Sequence, residues 1–302
     1  MVYAKFFLIV TYGILTMKIF DHIHIVRKLD DTSNGSSKVT IRVISEWAEQ
    51  QELPVSIDGL AGRDLPSNVK TRILFISVGG DGTMLYTMKK SLKYGMSSVI
   101  GINCGSLGFL VEDLDTVDKI RGFLSDVYKQ ETEIDDRMVL STTTVNGRIK
   151  KHLAVNEFLF STGSHNAPFN YKILINDKVV ARQFGSGVLI ATSTGSTAMS
   201  LSGGGVIVDP STNIIQIVPL LSHSLSARPF ITTGRDKVSI ETTATDRASD
   251  FELRADGRKV WDNVPSNNET YRFDFHKYPQ SVAIHRPKDW NFFEVLTKKL
   301  KW

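Results

Sequence analysis

Apolar residues in the first part of the chain alternate between the periods of strands and helices. Strands are predicted where apolar residues alternate or run together, at 18–28, 71–80 and 97–105. Helices are predicted where the apolar spacing is close to 3.6 residues, at 37–53, 83–95 and 115–130. Thr83 and Gly95 are the candidate caps of the second helix. This order is typical of a parallel sheet with helices on both faces, so we predict a Rossmann-like α/β domain over residues 17–135.

The pattern changes at about residue 136, where short strands separated by turn sequences replace the helices. Strands are predicted at 137–145, 149–160, 169–177, 178–184, 187–193, 205–210, 213–220, 236–243, 250–257 and 270–276. Turn signals such as "VNGR", "NDK", "TGRD" and "ADGR" separate many of them. We therefore expect a β-rich, sandwich-like domain over residues 136–280. The closing segment, 281–302, contains a predicted helix at 287–302.

The first sixteen residues stand apart from this pattern. Residues 6–16 are apolar but too few to span a bilayer, and Met17 is a second plausible start. We interpret residues 1–16 as a leader without function or an upstream start, and we expect them to be dispensable. A targeting segment is the alternative. No other segment approaches the length of a membrane span.

Composition excludes few classes of protein. The chain has 302 residues, a net charge of +4 and a pI near 9.0, without a dense block of Lys and Arg. A nucleic-acid partner is therefore not expected, whereas a ligand with several phosphates suits this mild excess of positive charge. The single cysteine, Cys104, excludes an internal disulfide and favours a reducing compartment such as the cytoplasm. The seven histidines form no cluster with metal-ligand spacing.

The stretch "VGGDGT", residues 78–83, places glycines between a predicted strand and a predicted helix. Such a turn lets backbone N–H groups approach an oxyanion, so Gly79, Gly80 and Thr83 are candidate phosphate-loop residues. Asp81 would repel a phosphate unless it accepts a hydrogen bond from a substrate hydroxyl or faces a divalent cation. An unpaired carboxylate has no obvious structural use there, although a tight turn with an acidic residue in the first helical turn is the alternative.

Three other stretches are candidates for a site. "GINCGSLGFLVE", residues 101–112, is a second glycine turn after a strand, and its Cys104 has no visible catalytic partner. Asn156 and Glu157 lie in an apolar strand, where one of them would point inward as a ligand contact or as a structural polar pair. Residues 186–205 carry many small hydroxyls and glycines, which suit a nucleoside ligand; a flexible serine-rich loop is the alternative.

Taken together, these stretches resemble the NAD kinase family over roughly residues 72–302. The resemblance rests on motifs that occur in the family's order: "GGDGT", "GINCGSLGFL", "NE" at 156–157, "TGSTAMSLSGGG", "VPLLSHSLSARP", "ADG" at 255–257 and "FFEVLTKKLKW". It implies an α/β domain, a β-rich domain and a C-terminal helix that returns to the first domain. It also implies NAD and ATP or polyphosphate as substrates, a divalent metal cation with Mg²⁺ as the first candidate, and a homodimer or homotetramer.

The same resemblance assigns roles to residues. Asp81 is expected to be the catalytic acid-base residue, which orients the 2′-hydroxyl of the adenosine ribose toward the γ-phosphate. The residues expected to bind NAD are Asp81, Gly82, Asn156, Glu157, Ser186, Thr197, Ala198, Met199, Ser200, Leu201 and Ser202. Asp256 and Arg258 are carried over with less weight, because the family often has a neutral residue where this chain has Arg258.

The chain departs from the family pattern near the dinucleotide. Ser186 stands where the family usually has Asp, Ser193 where it has Pro, and Met199 where it has Tyr. Two alternatives to an NAD kinase therefore stay open. One is a catalytically weak dinucleotide-binding protein, and the other is a kinase of the same superfamily with another hydroxyl substrate, although lipid kinases of that kind are not expected to carry "TGSTA".

Overall fold

The computed structural model describes residues 19–27, 35–59, 65, 72–95, 98–144, 151–163, 167–245, 248–263 and 268–302. Residues 1–16, which we interpret from the sequence as a leader or upstream start, lie outside the described residues.

The elements are numbered in chain order. The strands are β1 (His22–Arg27), β2 (Val55–Gly59), β3 (Ile73–Val78), β4 (Ser98–Ile102), β5 (Glu133–Arg137), β6 (Leu140–Thr144), β7 (Lys151–Ala154), β8 (Glu157–Thr162), β9 (Phe169–Ile175), β10 (Lys178–Gly185), β11 (Gly187–Thr192), β12 (Ile214–Leu220), β13 (Phe230–Thr233), β14 (Val238–Thr243), β15 (Phe251–Ala255), β16 (Arg258–Asp262), β17 (Thr270–Lys277) and β18 (Val282–Arg286). The helices are α1 (Ser36–Gln50), α2 (Asp81–Ser91), α3 (Val117–Tyr128), α4 (Met199–Ser202) and α5 (Phe292–Leu300). Short 3₁₀ turns cover Leu92–Tyr94 and Thr194–Thr197.

The first sheet has six strands in the order β2-β1-β3-β4-β18-β5. All neighbouring strands are parallel except the edge strand β5, which is antiparallel to β18. On β3, Leu74 and Ile76 pack with the apolar faces of α1 and α3, while Ile73 and Phe75 pack with α2 on the other side. This alternation explains why β3 is buried along its whole length and reads as a continuous apolar run.

The second part of the chain is a β-rich, sandwich-like domain of two antiparallel sheets. Their strand orders are β10-β9-β14-β17-β6-β7 and β13-β12-β11-β8-β15-β16. Aromatic side chains from both sheets fill the core, among them Phe158, Phe160 and Phe251 from one sheet and Phe273 and Phe275 from the other. The two sheets are therefore held together by a continuous buried core.

The chain leaves the first sheet through β5 and returns to it through β18. In β18, Ile284 pairs with Val99 of β4 on one side and with Asp135 of β5 on the other. Helix α5 follows and buries Phe292 and Leu296. The predicted fold class, an α/β part and a β-rich part with a C-terminal helix, is confirmed.

Several local predictions were wrong. Helix α2 begins at Asp81, and its N-cap is Gly80, three residues before the predicted cap Thr83. Segment 149–160 is not one strand but two, because the chain bends at Val155 and Asn156. Residues 205–210 form no strand. The sequence pattern also missed β2, β5, β13, β16 and β18; in β5 the sequence "EIDDR" offers one apolar residue among four charged ones.

Two buried histidines make the folded state sensitive to acid. His24 of β1 and His285 of β18 each have one ring nitrogen 2.7 Å from a hydroxyl, that of Ser56 and Thr132 respectively. The Nε2 atom of each ring is buried and has no hydrogen-bond partner within the described residues. Burial lowers the pKa of both imidazoles from 6.5 to about 4, so they stay neutral in the fold.

We expect these two histidines to lower the free energy of unfolding as the pH drops from about 6.5 toward 4, because they bind protons in the unfolded chain but stay neutral in the folded one. Their contribution is a loss on the order of 1 kcal/mol per histidine at pH 5.5. It is measured as the difference in the change of unfolding free energy between pH 7.5 and 5.5, by urea, for the parent and for His24→Asn combined with His285→Asn; the raised pKa of Glu157 acts in the opposite direction and is common to both proteins. The control His223→Asn, at an exposed histidine, should show the same change as the parent; an equal change in all three proteins would contradict the account.

Candidate functional site

A cavity of about 250 Å³ lies where the α/β part, the β-rich part and α5 meet. We call it the Asp81 cavity. It is lined by Asp81, Phe109, Leu110, Arg137, Asn156, Ser193, Thr194, Thr197, Ala198, Pro210, Phe292 and Lys299. Four of the residues predicted to bind NAD, namely Asp81, Asn156, Thr197 and Ala198, therefore share one cavity although they are distant in the chain.

The turn that presents Asp81 depends on glycine. Gly79 has a φ of 153°, and a Cβ there would lie 2.6 Å from the Thr83 hydroxyl oxygen. The Gly79 N–H donates to the Ile102 carbonyl at 3.0 Å, and the Thr83 side chain is buried. Gly79 and the Thr83 side chain therefore shape the turn. Gly80 and Gly82 are the glycines of this turn that line an open cleft.

The Asp81 carboxylate is held by the second glycine turn. Its Oδ2 accepts the Phe109 N–H and its Oδ1 accepts the Leu110 N–H, both at 2.9 Å. A Cβ at Gly108 would lie 2.3 Å from Oδ1, so only glycine leaves room for this approach. The expectation that Asp81 is an unpaired carboxylate was therefore wrong. It anchors the loop at Phe109 and Leu110 and also lines the cavity.

A second opening, the α2 cleft, adjoins the same turn. Its volume is about 320 Å³, and it is lined by Gly80, Gly82, Thr83, Leu85, Tyr86, Lys89, Asp256 and Arg258. The Lys89 Nζ lies 2.7 Å from Asp256 Oδ2, and the Arg258 guanidinium lies 5.2 Å from the centre of the Tyr86 ring. The cleft thus combines a helix N-terminus with two cationic side chains.

Asp256 has a positioning role that the sequence does not reveal. It has a positive φ of 48°, and its side chain is 2% exposed. Its carboxylate accepts the backbone N–H groups of Val155 at 3.1 Å, Asn156 at 2.8 Å and Glu157 at 3.3 Å. These bonds hold the bend between β7 and β8 and so fix Asn156 at the cavity.

Glu157 is buried beside this bend, with 5% of its surface exposed. Burial, and next the nearby Asp256 carboxylate, raise the pKa of Glu157 to about 8, although the Met199 N–H hydrogen bond opposes the shift. Its Oε2 has no hydrogen-bond partner within the described residues. A buried carboxyl oxygen of this kind is poised to bond a ligand donor or, when protonated, a ligand acceptor.

The segment after β11 packs directly on the Asn156 backbone. The Thr192 N–H donates to the Asn156 carbonyl at 2.8 Å, and the Thr192 hydroxyl donates to the Val155 carbonyl at 2.6 Å. A Cβ on Gly195 would lie 2.2 Å from the Asn156 carbonyl oxygen. Gly195 therefore permits the contact that brings Thr197 and Ala198 to the cavity wall. These contacts order the segment, so the alternative of a flexible serine-rich loop was wrong, while its contact with a ligand stays a prediction.

The residues after Ala198 turn away from the cavity. The Ser200 hydroxyl is buried and accepts Gln216 Nε2 at 2.7 Å. Met199 contacts Glu157 through its N–H, while its side chain is 41% exposed. The structure does not bring the side chains of Met199, Ser200, Leu201 or Ser202 into the Asp81 cavity. The physical reason is the short helix α4, which directs Ser200 into the structural contact with Gln216.

Ser186 also lies outside the Asp81 cavity. It precedes Gly187 at the start of β11, whereas Thr192 at the strand's end packs on Asn156. Six residue steps of extended chain separate Ser186 from Thr192 by roughly 20 Å. The structure of one chain therefore does not bring Ser186 to Asp81, and its contact with a dinucleotide stays a prediction.

Sequence patterns missed several residues of the site. Phe109 and Leu110 act through backbone N–H groups, so their side chains give no signal of this role in the sequence. Arg137 donates to Thr194 Oγ1 at 3.3 Å, and Lys299 of α5 donates to the Leu107 carbonyl. Lys299 lies in "FFEVLTKKLKW", one of the motifs that resemble the family, and this motif could have pointed to it as a site residue.

Known proteins resemble this chain in sequence and in fold. Residues 155–272 match the family model of the ATP-NAD kinase C-terminal domain. The NAD kinase of Buchnera aphidicola subsp. Schizaphis graminum is 31% identical over 281 residues, which cover 89% of this chain and 93% of that protein. Two solved structures share the fold: yeast NADH kinase complexed with NADH, and an NAD kinase from Archaeoglobus fulgidus in complex with ATP.

For the yeast NADH kinase the TM-score is 0.79 at 19% identity, covering 95% of this chain and 89% of that one. For the Archaeoglobus fulgidus NAD kinase the TM-score is 0.70 at 21% identity, covering 93% of this chain and 98% of that one.

Gly195→Ala should destabilise the protein, because the added methyl group collides with the Asn156 carbonyl. The expected loss in the free energy of unfolding is about 1–3 kcal/mol, the usual cost of overpacking. Gly122→Ala in α3 is the matched control, since a Cβ there meets nothing within 4 Å and alanine favours the helix. Urea unfolding of both variants measures the difference, and equal stability would show that Gly195 does not enforce the contact.

Proposed function

The chain belongs to the NAD kinase family, and from this membership we propose that it transfers the γ-phosphate of ATP or polyphosphate to NAD. The acceptor is the 2′-hydroxyl of the adenosine ribose, and the product is NADP. The observation that carries the proposal is the Asp81 carboxylate, fixed by two backbone N–H groups at the wall of the Asp81 cavity.

Asp81 is the proposed general base. Phosphoryl transfer requires positioning and charge stabilisation more than a strong base, so an immobile carboxylate suits the reaction. With one lone pair of each oxygen engaged by Phe109 or Leu110, another remains to accept the proton of a ribose hydroxyl. The carboxylate thereby orients the hydroxyl oxygen for attack on the γ-phosphorus and takes its proton as the new P–O bond forms. The bond from that phosphorus to the donor's leaving oxygen breaks, which releases ADP or the shortened polyphosphate.

We place NAD in the Asp81 cavity, against Asn156, Thr197 and Ala198. Small hydroxyls and amide groups provide short donors and acceptors for ribose and amide groups of the ligand. Glu157 lies behind this wall and offers its unpartnered Oε2. Gly82, exposed at the start of α2, allows the ligand to approach the helix without a side-chain clash.

We place the phosphates of the donor in the α2 cleft, next to Gly80 and Gly82. The first N–H groups of a helix have no intrahelical acceptor and carry positive potential, which favours a phosphate there. Lys89 and Arg258 add positive charge on the same cleft, with Lys89 partly neutralised by Asp256. Asp81 lies between Gly80 and Gly82 in the chain, so the proposed NAD region and the proposed donor region meet at this turn.

A divalent cation, with Mg²⁺ as the first candidate, is part of the proposal. Mg²⁺ keeps several waters and is usually bound by one or two carboxylates together with substrate phosphates. Within the described part of the chain, no three His, Cys, Asp or Glu side chains form a metal-binding group. The residues present fit a cation that arrives on the donor phosphates and neutralises their charge, with Asp81 as the nearby carboxylate.

We further propose that the protein is a homodimer or homotetramer in the cytoplasm. Leu221 and Leu225 are 78% and 93% exposed, and exposed apolar side chains of this kind support self-association. Sedimentation velocity measures the oligomeric state. Among the described helices, none combines the length and the apolar character that crossing a bilayer requires.

The function is tested by following NADP formation from NAD with ATP and magnesium, with NADH and polyphosphate as parallel substrates. We expect turnover with NAD or NADH and at least one of the two donors. Binding of NAD without turnover under every condition would favour a catalytically weak dinucleotide-binding protein. Turnover of another hydroxyl substrate alone would favour the related kinases.

Asp81→Asn should reduce kcat by at least about 10²-fold, because the amide cannot accept the proton. The Kd for NAD should change by less than about tenfold, since the amide still bonds a hydroxyl. The free energy of unfolding should fall by about 1–3 kcal/mol, because the amide NH₂ faces one of the two N–H donors. Turnover, calorimetric NAD binding and urea unfolding are measured on one preparation.

Asp115→Asn is the matched control, because Asp115 is an exposed carboxylate paired with Lys119 at the start of a helical segment. It should keep kcat and the Kd for NAD. A near-normal kcat for Asp81→Asn would show that Asp81 takes no part in the chemistry and has only a structural role.

A further inference from the structure

A buried ionic cluster lies behind the loop that holds Asp81. It consists of Arg286, Glu112, Asp135 and Arg137, and we call it the Arg286 cluster. Arg286 Nη1 lies 2.6 Å from Glu112 Oε1, and Arg286 Nε lies 3.0 Å from Asp135 Oδ2. Arg137 forms two hydrogen bonds to the same Asp135 carboxylate, at 2.6 and 2.7 Å. The Arg286 side chain is 1% exposed, so each of these contacts is shielded from water.

Arg286 also binds the backbone of the Asp81 loop. Its Nη1 donates to the Leu110 carbonyl at 3.2 Å, and its Nη2 donates to the Phe109 carbonyl at 3.4 Å. The N–H groups of the same two residues donate to Asp81. The peptide group between Phe109 and Leu110 is therefore bonded on both sides, with its carbonyl to Arg286 and its N–H to Asp81.

This peptide group connects a buried cation to the candidate base. In a trans peptide the C=O and N–H point in opposite directions, so Arg286, the peptide and Asp81 form one line of hydrogen bonds. Such chains polarise one another in a low-dielectric interior. The orientation of the peptide, and with it the direction in which Oδ1 of Asp81 is held, depends on the guanidinium.

We propose that Arg286 is a positioning residue for phosphoryl transfer, fixing the Asp81 carboxylate through the peptide between Phe109 and Leu110. This inference rests on the proposed function of the Asp81 cavity. Arg286 does not line the cavity and acts through Phe109 and Leu110, which do.

The geometry requires arginine. The side chain bonds two carboxylates and two carbonyls with three nitrogens, and its Cζ lies 4.5 Å from the centre of the Trp290 ring. A planar guanidinium can meet these directions at once, whereas a lysine ammonium is a point charge on a flexible stem. Lysine at position 286 would keep the positive charge but lose the planar group that bonds several acceptors at once.

The cluster also ties this loop to the other wall of the cavity. Burial alone would raise the pKa of Asp135, but its hydrogen bonds and charge interactions with Arg137 and Arg286 lower it, so Asp135 stays ionised between the two guanidiniums. Arg137 lines the Asp81 cavity and reaches Thr194. Arg286 and Arg137 thus share the Asp135 carboxylate. This shared contact fixes the loop at Phe109 and Leu110 relative to Arg137 at the cavity wall.

The decisive variant is Arg286→Lys, studied as the full-length protein. We expect kcat per NAD-binding site to fall on the order of 10–10²-fold, the scale of a small misplacement of a reacting group. The Kd for NAD, measured by calorimetry, should change by less than about threefold, since Arg286 does not line the cavity. Hydrogen exchange of the Phe109 and Leu110 amides should become faster, because their hydrogen bonds to Asp81 loosen.

Two further variants separate positioning from general stability. Arg286→Met combined with Glu112→Gln removes one positive and one negative buried charge together, so it keeps the charge balance and should show the same fall in kcat. Lys90→Met is the control, because Lys90 is also buried, at 4% exposure, and forms its ion pair with Asp58 of β2 at 2.6 Å. It should lower the melting temperature and leave kcat per binding site unchanged.

The proposal is overturned if folded Arg286→Lys keeps kcat within twofold of the parent, or if Lys90→Met loses kcat to the same extent. It is also overturned if exchange of the two amides is unchanged. Should the parent protein form no NADP, the proposed function fails instead, and amide exchange still reports whether Arg286 fixes the loop.

Discussion

The pair of hydrogen bonds from the Phe109 and Leu110 N–H groups to the Asp81 carboxylate is the constraint on which the site depends. A carboxylate at the start of a helix can rotate freely, but here both oxygens are held by backbone donors. Gly79 allows the sharp turn before it, and Gly108 leaves space for the carboxylate to approach the loop. Of the glycines in the turn, Gly79 thus shapes the backbone, whereas Gly80 and Gly82 line the α2 cleft.

The fold fixes the residues around the Asp81 cavity at three points. Strand β18 returns from the β-rich part to carry Arg286 behind the loop, and α5 carries Lys299 to the Leu107 carbonyl. On the opposite side, Asp256 holds the bend that presents Asn156. The cavity therefore exists only when the β-rich part has folded and the chain has come back to the first sheet, which connects assembly of the site to completion of the whole fold.

Much of this architecture could be predicted from sequence, for reasons that differ between elements. β3 and β4 are continuous apolar runs, and α1 and α3 have a clear apolar face, so their types were evident. β5, "EIDDR", could not be recognised, because its partner β18 lies about 150 residues away and its side chains are mostly charged. At the site, Asp81, Asn156 and Thr197 were identified by motif. Other features of the site arise only from tertiary packing. They are the contact of Ser200 with Gln216, the distance of Ser186 from the Asp81 cavity, and the backbone roles of Phe109 and Leu110.

The central claim is that Asp81 is held immobile while it faces the hydroxyl that is phosphorylated. A crystal structure of the protein with bound NAD tests this most directly, through the distance from the Asp81 carboxylate to the 2′-oxygen of the adenosine ribose. The account predicts a hydrogen-bond distance of about 2.6–3.2 Å, with the Phe109 and Leu110 N–H bonds still in place. An adenosine ribose bound away from Asp81, or a carboxylate that leaves those two N–H groups to reach it, would contradict the account.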